Sequence, residues 1–341
     1  MRRRSRIQRI QADASLAAQR ELARMGVNDE RPLDIFGLIE EAGIWLMFQP
    51  LGRLYGMYRR IGDVAGIVIN ANHPVPLQRF TAAHEYGHHV LGHDASFDRA
   101  EDIEQYKSSR PEQEIAAYAF AATLLMPIQR VNAALRRLGV EPQAGSLDAE
   151  MTYRLAQEMG VSYRAAVSQL RILGMINRSC AERLRHERPV EIKTALAGGR
   201  PPENPRAEVW MLDERADGKR IYAHPDDEIH LVLQETPTSG YRWTLEPTST
   251  DGPAVEMLGD SLRASDDAGD RYGARHTRHL WLRIREPGDA VLQARLARPW
   301  EGPEGGALTE VRAEIHTDPY PTGEADQGLS EHQRPLLLQT A

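Results

Sequence analysis

The stretch FTAAHEYGHHVLGHD, residues 80–94, crowds four histidines and a glutamate into ten positions. His84 and His88 stand four apart, so on a helix they share one face, and both imidazoles can reach a single ion. Glu85 is offset from His84 by about 100°, which aims its carboxylate at water held beside that ion. Two imidazole ligands next to a general base make a device for metal-assisted hydrolysis. The same spacing also suits a helix whose histidines merely meet solvent, so the reading turns on a third ligand.

A hydrolytic zinc site takes three protein ligands and keeps one position open. His93 is one candidate, but the metzincin pattern wants Gly where Leu91 stands and His where Asp94 stands. Gly92 and His93 are each displaced from it by one residue, which disfavours that class. His89 points away from the His84/His88 face and reads as structural. The better candidate lies in EQEIAAYAFAATLLMP, residues 112–127, where Glu114, Ala117, Ala121 and Leu124 or Leu125 recur at helical spacing. Ala117 and Ala121 are small enough for this segment to lie close against the histidine helix, bringing Glu114 to the ion, and Pro127 stops the turn. Glu112 competes, but so near a helix start the dipole alone favours a carboxylate.

RFTAAHEYGHHVLGH followed by ExxAxxFAxxLLMP resembles the ImmA/IrrE family of metallopeptidases. PLDIFGLIEEAGIWLMFQPL, then YGMY and GIVIN, is similar to the family's approach to its catalytic helix. The likeness covers residues 13 to about 177. It implies an α+β zincin-like domain, Zn2+ on His84, His88 and Glu114, and Glu85 as the base. It also implies a regulatory protein substrate such as a transcriptional repressor, in a stress-response or mobile-element setting. One departure is Tyr118, where many members carry Asn or Asp four residues after the ligand Glu. That leaves the surroundings of the metal open, including a part for the phenol in stabilising the tetrahedral intermediate.

Behind the metal segment, TYRLAQEMGVSYRAAVSQLRILGMIN, residues 152–177, reads as two helices joined at Gly160-Val161. Ser162 is a natural N-cap and Gly174 fits just past the second helix. Leu155, Ala156, Val161, Ala166 and Leu170 then form the small core of a helix-turn-helix. Arg164 and Arg171 are candidate DNA contacts. Such a unit serves equally as packing or as a dock for a protein, and DNA binding is the less favoured use.

Past a Gly/Pro-punctuated stretch, GGRPPENP, the helical period disappears. EIHLVLQE, HLWLRIR and DAVLQARLA alternate as strands of a β-sandwich. Charge changes too: residues 1–200 are net positive, whereas residues 201–341 carry the acidic excess behind the overall net charge of −7. TPTSGYRW at 236–243, GARHTRHLWL at 273–282 and RPWEG at 298–302 resemble, in order, the three binding loops of the chagasin family of cysteine-peptidase inhibitors. The resemblance implies an immunoglobulin-like sandwich whose loops enter the cleft of a papain-like peptidase. Its loop residues are Pro237, Thr238, Ser239, Gly240, Tyr241, Trp243, Gly273, Arg298, Pro299 and Trp300. Pro237 and Gly240 restrict the first loop and so reduce the entropy lost on binding. Arg298 with Trp300 resembles an anchor pair. Thr236 and Arg275-His276 depart from the family pattern, and Trp243 and Trp300 also fit as packing residues of a sandwich no longer used for inhibition.

With 341 residues the chain exceeds one ordinary core. The expected division is a metallopeptidase domain at 1–145, a helix-turn-helix segment at 146–186, a linker at 187–206, the sandwich at 207–318 and a mobile tail at 319–341. Arg2, Arg3 and Arg4 read as a frayed basic start. The single cysteine, Cys180, allows no internal disulfide and reads as a bystander, which fits a reducing cytoplasm. No apolar run approaches the roughly 20 residues of a membrane helix, so no membrane partner is expected. The leading expectation is a zinc endopeptidase with an inhibitor-like binding domain. The alternatives are a binding protein for papain-like peptidases and a DNA-bound regulator with a structural metal.

Overall fold

The computed structural model describes residues 2–26, 31–93, 96–99, 111–141, 147–246, 255–264, 275–301 and 306–324. The chain divides into two compact units, residues 1–187 with 321–341, and residues 188–320.

The first unit opens with α1 (Arg2–Met25), which includes the backbone of the basic start, and α2 (Ile35–Glu41). The α2 start is capped by Asp34, whose side chain accepts from the Gly37 amide at 3.0 Å. Three strands follow: β1 (Trp45–Gln49), β2 (Leu54–Ile61) and β3 (Val64–Asn70). Next come the helix α3 (Val75–Val90) and the short β4 (Ser96–Arg99). The sheet order is β1-β3-β2-β4, with β1 parallel to β3 and β2 antiparallel to both β3 and β4. Strand periodicity sends Trp45, Met47, Met57 and Val68 into one apolar cluster. It turns Gly56 and Tyr58 to the opposite face, where they meet α3.

Among the described residues five more helices belong to the unit: α4 (Glu112–Leu125), α5 (Ile128–Arg137), α6 (Ala149–Met159), α7 (Tyr163–Ile172) and α8 (Arg178–His186). Prolines open α3, α4 and α5, as expected where an amide would lack a helical partner. The turn between α6 and α7 follows the sequence reading in detail. Gly160 is left-handed, the Ser162 hydroxyl caps α7, and Leu155, Ala156, Val161, Ala166 and Leu170 are all buried.

The second unit begins inside the stretch read as a linker, with α9 (Pro189–Leu196). Proline at its start and the buried Ile192 and Leu196 account for a helix where glycine and proline farther on suggested a spacer. Its Lys193 ammonium is buried and satisfied by the Ala207 carbonyl at 2.7 Å and the Glu208 carboxylate at 3.4 Å. Among the described residues eight strands follow: β5 (Val209–Leu212), β6 (Lys219–Ala223), β7 (Glu228–Glu235), β8 (Arg242–Leu245), β9 (Val255–Ala264), β10 (His276–Ile284), β11 (Gly288–Ala297) and β12 (Thr309–Thr317). They form two four-stranded sheets, β5-β7-β10-β9 and β6-β12-β11-β8. Alternate residues such as Ile229, Leu231 and Leu233 meet Leu292, Ala313 and Ile315 in one core. Finally Gly323–Glu324, β13, pairs antiparallel with β1 in the first unit's sheet. Two ladder positions of the stretch read as a mobile tail therefore have defined partners. Among the described residues no helix is long and apolar enough to cross a membrane.

Candidate functional site

α3 and α4 pack against each other closely enough to exclude ordinary side chains between them. A Cβ on Gly87 would stand 3.0 Å from Cδ1 of Phe120. Ala117 and Ala121, the small residues expected at this interface, are fully buried. The approach brings Glu114, in the first turn of α4, to the His84/His88 face of α3.

The three ligand candidates converge. Nε2 of His84 lies 3.2 Å from Nε2 of His88 and 3.2 Å from Oε2 of Glu114, and Nε2 of His88 lies 3.5 Å from Oε1 of Glu114. Ligand atoms 2.0–2.1 Å from a tetrahedral ion stand about 3.3–3.4 Å apart, so the two imidazole nitrogens, and each imidazole with one of the two Glu114 oxygens, stand near the spacing of such a coordination shell. Among the described residues it is the group whose ligand atoms gather in this way. His84 and His88 are fully buried, and the Glu114 side chain keeps 18% of its exposure, which leaves an approach from solvent. Burial by itself raises the Glu114 carboxyl, but hydrogen bonds from His84 and His88 outweigh it and hold the group well below the usual carboxylate range. The donor set, two imidazoles and an ionised carboxylate, is one that fits zinc.

Glu85, the expected base, is fully buried beside the two histidines. Sequence reasoning missed what makes room for it. A Cβ on Gly56 of β2 would come within 3.2 Å of Glu85 Oε1, 3.1 Å of the Val68 carbonyl oxygen and 2.5 Å of Thr81 Cγ2. A glycine in the middle of a strand was the available signal, since it marks a close approach by another group.

The remaining candidates separate. His89 leaves the cluster and meets the Tyr58 hydroxyl at 3.1 Å, with its ring stacked on Tyr86. Burial, then the nearby Arg60, lowers its pKa. Glu112 is exposed and pairs with Arg6 at 2.7 Å. His93 is absent from the ligand triangle and instead places Nδ1 3.0 Å from Nδ1 of His88. Tyr118 is buried with its ring against Phe80. Arg79, two turns before His88, holds a place the sequence did not suggest: its guanidinium donates to the Gly160 carbonyl at 2.9 Å and to the Leu33 carbonyl. Arg164 and Arg171 are exposed on α7.

In the second unit, Pro237, Thr238 and Ser239 form a single 3-10 turn closed by the left-handed Gly240. Pro299 and Trp300 form a second such turn. The two are joined: Arg298 lies 4.6 Å over the Tyr241 ring, and any side chain on Gly240 would collide with the Trp300 indole. Trp300 is 68% exposed, whereas Trp243 is a core residue whose indole donates to the Gln234 carbonyl at 2.7 Å. Gly273 lies outside the described residues.

This geometry describes a metallopeptidase-like unit followed by an inhibitor-like β unit, and the comparisons with known proteins agree. Residues 39–171 match the family model described as the IrrE N-terminal-like domain, and residues 222–315 match that of the chagasin family of peptidase inhibitors. The chain therefore carries an IrrE-like domain of a metallopeptidase family and a chagasin-like domain. It is similar to the radiation response metalloprotease IrrE of Deinococcus radiodurans, 29% identical over 66% of this chain and 60% of that protein. It is also similar to amoebiasin-2 of Entamoeba histolytica, 26% identical over 28% of this chain and 75% of that protein. Among solved structures, the cysteine protease inhibitor EhICP2 of Entamoeba histolytica aligns over 34% of this chain and all of its own length, with 22% identity and a TM-score of 0.30.

Proposed function

We propose that residues 1–187 act as a zinc-dependent endopeptidase on a regulatory protein of the transcriptional-repressor kind. The observation that carries this reading is the cluster of His84, His88 and Glu114, whose ligand atoms converge closely enough to hold one ion, with the buried Glu85 beside it. A zinc ion there would supply a Lewis acid that polarises a carbonyl and raises the acidity of water. His84 and His88 offer Nε2 and Glu114 its carboxylate. Glu85, next to both histidines, accepts the proton of the attacking water and returns it to the leaving amine. A base beside the ligands favours catalysis over a purely structural metal. The repressor-like substrate and the stress-response setting rest on the family resemblance alone. The lone Cys180, buried and engaged with the Leu147 carbonyl, is consistent with a reducing cytoplasm.

The test combines metal analysis with cleavage of a proteome-derived peptide library. The wild type should hold about one zinc per chain and generate new termini. Glu114→Ala should lose the metal, whereas Glu85→Gln should keep it and cut about 10²–10⁴-fold more slowly. Cleavage undiminished in Glu85→Gln would overturn the assignment of the base.

A second reading concerns the chagasin-like domain, proposed as an immunoglobulin-like sandwich that binds a papain-like cysteine peptidase. It is supported by the pre-joined turns under the exposed Trp300, and titration against papain tests it. The α6–α7 pair is read as a helix-turn-helix used for packing or protein docking rather than DNA. Seven of the ten residues of α7 are buried, and a recognition helix needs an open face to enter the major groove. Salt-dependent DNA binding that weakens in Arg164→Ala and Arg171→Ala would reverse that preference.

A further inference from the structure

α3 ends in a turn that puts a second imidazole behind one of its ligand candidates. Gly92 is left-handed at φ +68, its amide bonds the His89 carbonyl at 3.1 Å, and the His93 amide bonds the His88 carbonyl at 2.9 Å. In this two-bond closure the second residue past the helix folds back over the residue three from its end, and an apolar contact commonly seals the pair. Here the seal is polar: Nδ1 of His93 lies 3.0 Å from Nδ1 of His88, with ring centroids 5.0 Å apart and planes at 68°. Residues five apart on an unbroken helix stand about 140° apart, so these rings meet only because Gly92 reverses the chain.

The inner nitrogen of His88, Nε2, faces His84 and Glu114, and its outer nitrogen, Nδ1, faces His93. A neutral imidazole that offers Nε2 to a cation carries its proton on Nδ1. Two nitrogens 3.0 Å apart share one proton, so when His88 donates, His93 accepts at Nδ1 and carries its own proton on Nε2. We propose that His93 is the positioning residue of the metal centre. By accepting the His88 Nδ1–H it fixes the tautomer and ring orientation that turn His88 Nε2 toward the cation. This rests on reading His84, His88 and Glu114 as ligands. His93 is thereby not a ligand itself, because the atom it presents is engaged at the outer nitrogen of His88. Loss of such an outer partner costs about 10–100-fold in metal affinity.

The test is zinc affinity of the full chain, measured by competition with a chromophoric chelator, in the wild type, His93→Leu and His93→Asn. The Asn carbonyl oxygen can stand where His93 Nδ1 stands and accept the same proton. His93→Leu should bind zinc about 10–100-fold more weakly, and His93→Asn should recover most of that loss. In histidine-labelled protein loaded with zinc, the His88 Nδ1 proton should resist exchange in the wild type and His93→Asn, and exchange freely in His93→Leu. Wild-type affinity in His93→Leu overturns the proposal. So does equal weakening in the Leu and Asn variants, which would mark His93 as a packing residue only. His84→Ala separates the two levels: if it abolishes zinc binding while His93→Leu does not change it, the ligand reading stands and this proposal falls. If the wild type binds no zinc, the ligand reading falls and the proposal with it.

Discussion

Gly56→Ala adds one methyl group at the point where β2 meets α3, the helix that carries His84, Glu85 and His88. The new Cβ would stand 2.5 Å from Thr81 Cγ2, 3.1 Å from the Val68 carbonyl oxygen and 3.2 Å from Glu85 Oε1. β2 cannot simply retreat, because it is paired with β3 on one side and β4 on the other. Thr81 is also held: it is β-branched, and its hydroxyl bonds the Leu77 carbonyl at 2.9 Å. Overpacking of this kind costs about 1–3 kcal/mol. For a unit of this size, about 2–4 °C of melting temperature goes with each kcal/mol, so the helical transition should fall by roughly 2–12 °C. The assay is thermal melting followed by circular dichroism at the helix band, beside Thr81→Ser and the double variant. Thr81→Ser removes the methyl group that makes the shortest contact and keeps the hydroxyl. In the double variant it should restore most of the stability, a coupling of about 0.5–3 kcal/mol between touching residues. Library cleavage should stay depressed in the double variant, because the contact with Glu85 is untouched by that relief. A Gly56→Ala melting point within 1 °C of the wild type, to take about a tenth of the expected range, would refute the claim that Gly56 reserves space for the base.

Three further outcomes are expected. Gly160→Ala forces a side chain into a left-handed position at φ +62, with its Cβ 2.9 Å from Arg79 Nε and 3.0 Å from Pro32 Cβ. It should destabilise the first unit by about 1–3 kcal/mol in urea titration, and Arg79→Ala in the same background should recover part of that loss. In the second unit, burial and then the neighbouring His279 and Arg263 charges pull His230 down to about 4 from 6.5, against the bond to the Leu196 carbonyl. The unfolded chain therefore binds the proton first as pH falls. The stability that His230 confers by staying neutral is present above pH 6.5 and is lost toward pH 4, by at most about 3 kcal/mol. Urea titrations of the wild type and His230→Gln across that window isolate it from Asp227, which burial pushes up to about 7 and whose dependence slopes the other way. Trp300→Ala should leave the melting point nearly unchanged, because the indole is 68% exposed, yet weaken papain binding by tenfold or more if the turn is an anchor.

Periodicity made most of the fold legible. The alternation in EIHLVLQE and DAVLQARLA is the two-residue period of β7 and β11, and the cap and glycine signals bracket α6 and α7 at the residues named from sequence. What escaped was order set by tertiary contact. α9 forms in the supposed linker because Ile192 and Leu196 are buried and the carbonyls at its end, Leu196 and Ala197, are bonded by His230 of β7 and Trp281 of β10. β13 exists because the free edge of β1 offers Phe48 and Met47 as partners for Gly323 and Glu324. Neither partner can be read from the local segment, since each lies far along the chain or on another face.

The candidate site divides in the same way. His84, Glu85, His88 and Glu114 could be singled out as candidates because a helical wheel places them, and because alanines at 117 and 121 announce two helices in close approach. His93 enters the sequence reading only as a disfavoured ligand candidate, since a wheel has no entry for a residue beyond a glycine that reverses the chain. Gly56 is the converse case, a position whose contribution is the absence of a side chain, visible once the strand and the base are seen together. Both follow from one constraint. The face of α3 that carries His84 and His88 is already filled by those histidines and by Glu114, so the further contacts to these groups come from neighbouring elements: the turn after the helix for His88, and strand β2 for Glu85. Exchanging a helix-face residue for alanine should therefore remove metal or catalysis outright, whereas changes at Gly56, Gly92 and His93 should weaken the site by degrees while leaving the ligands in place.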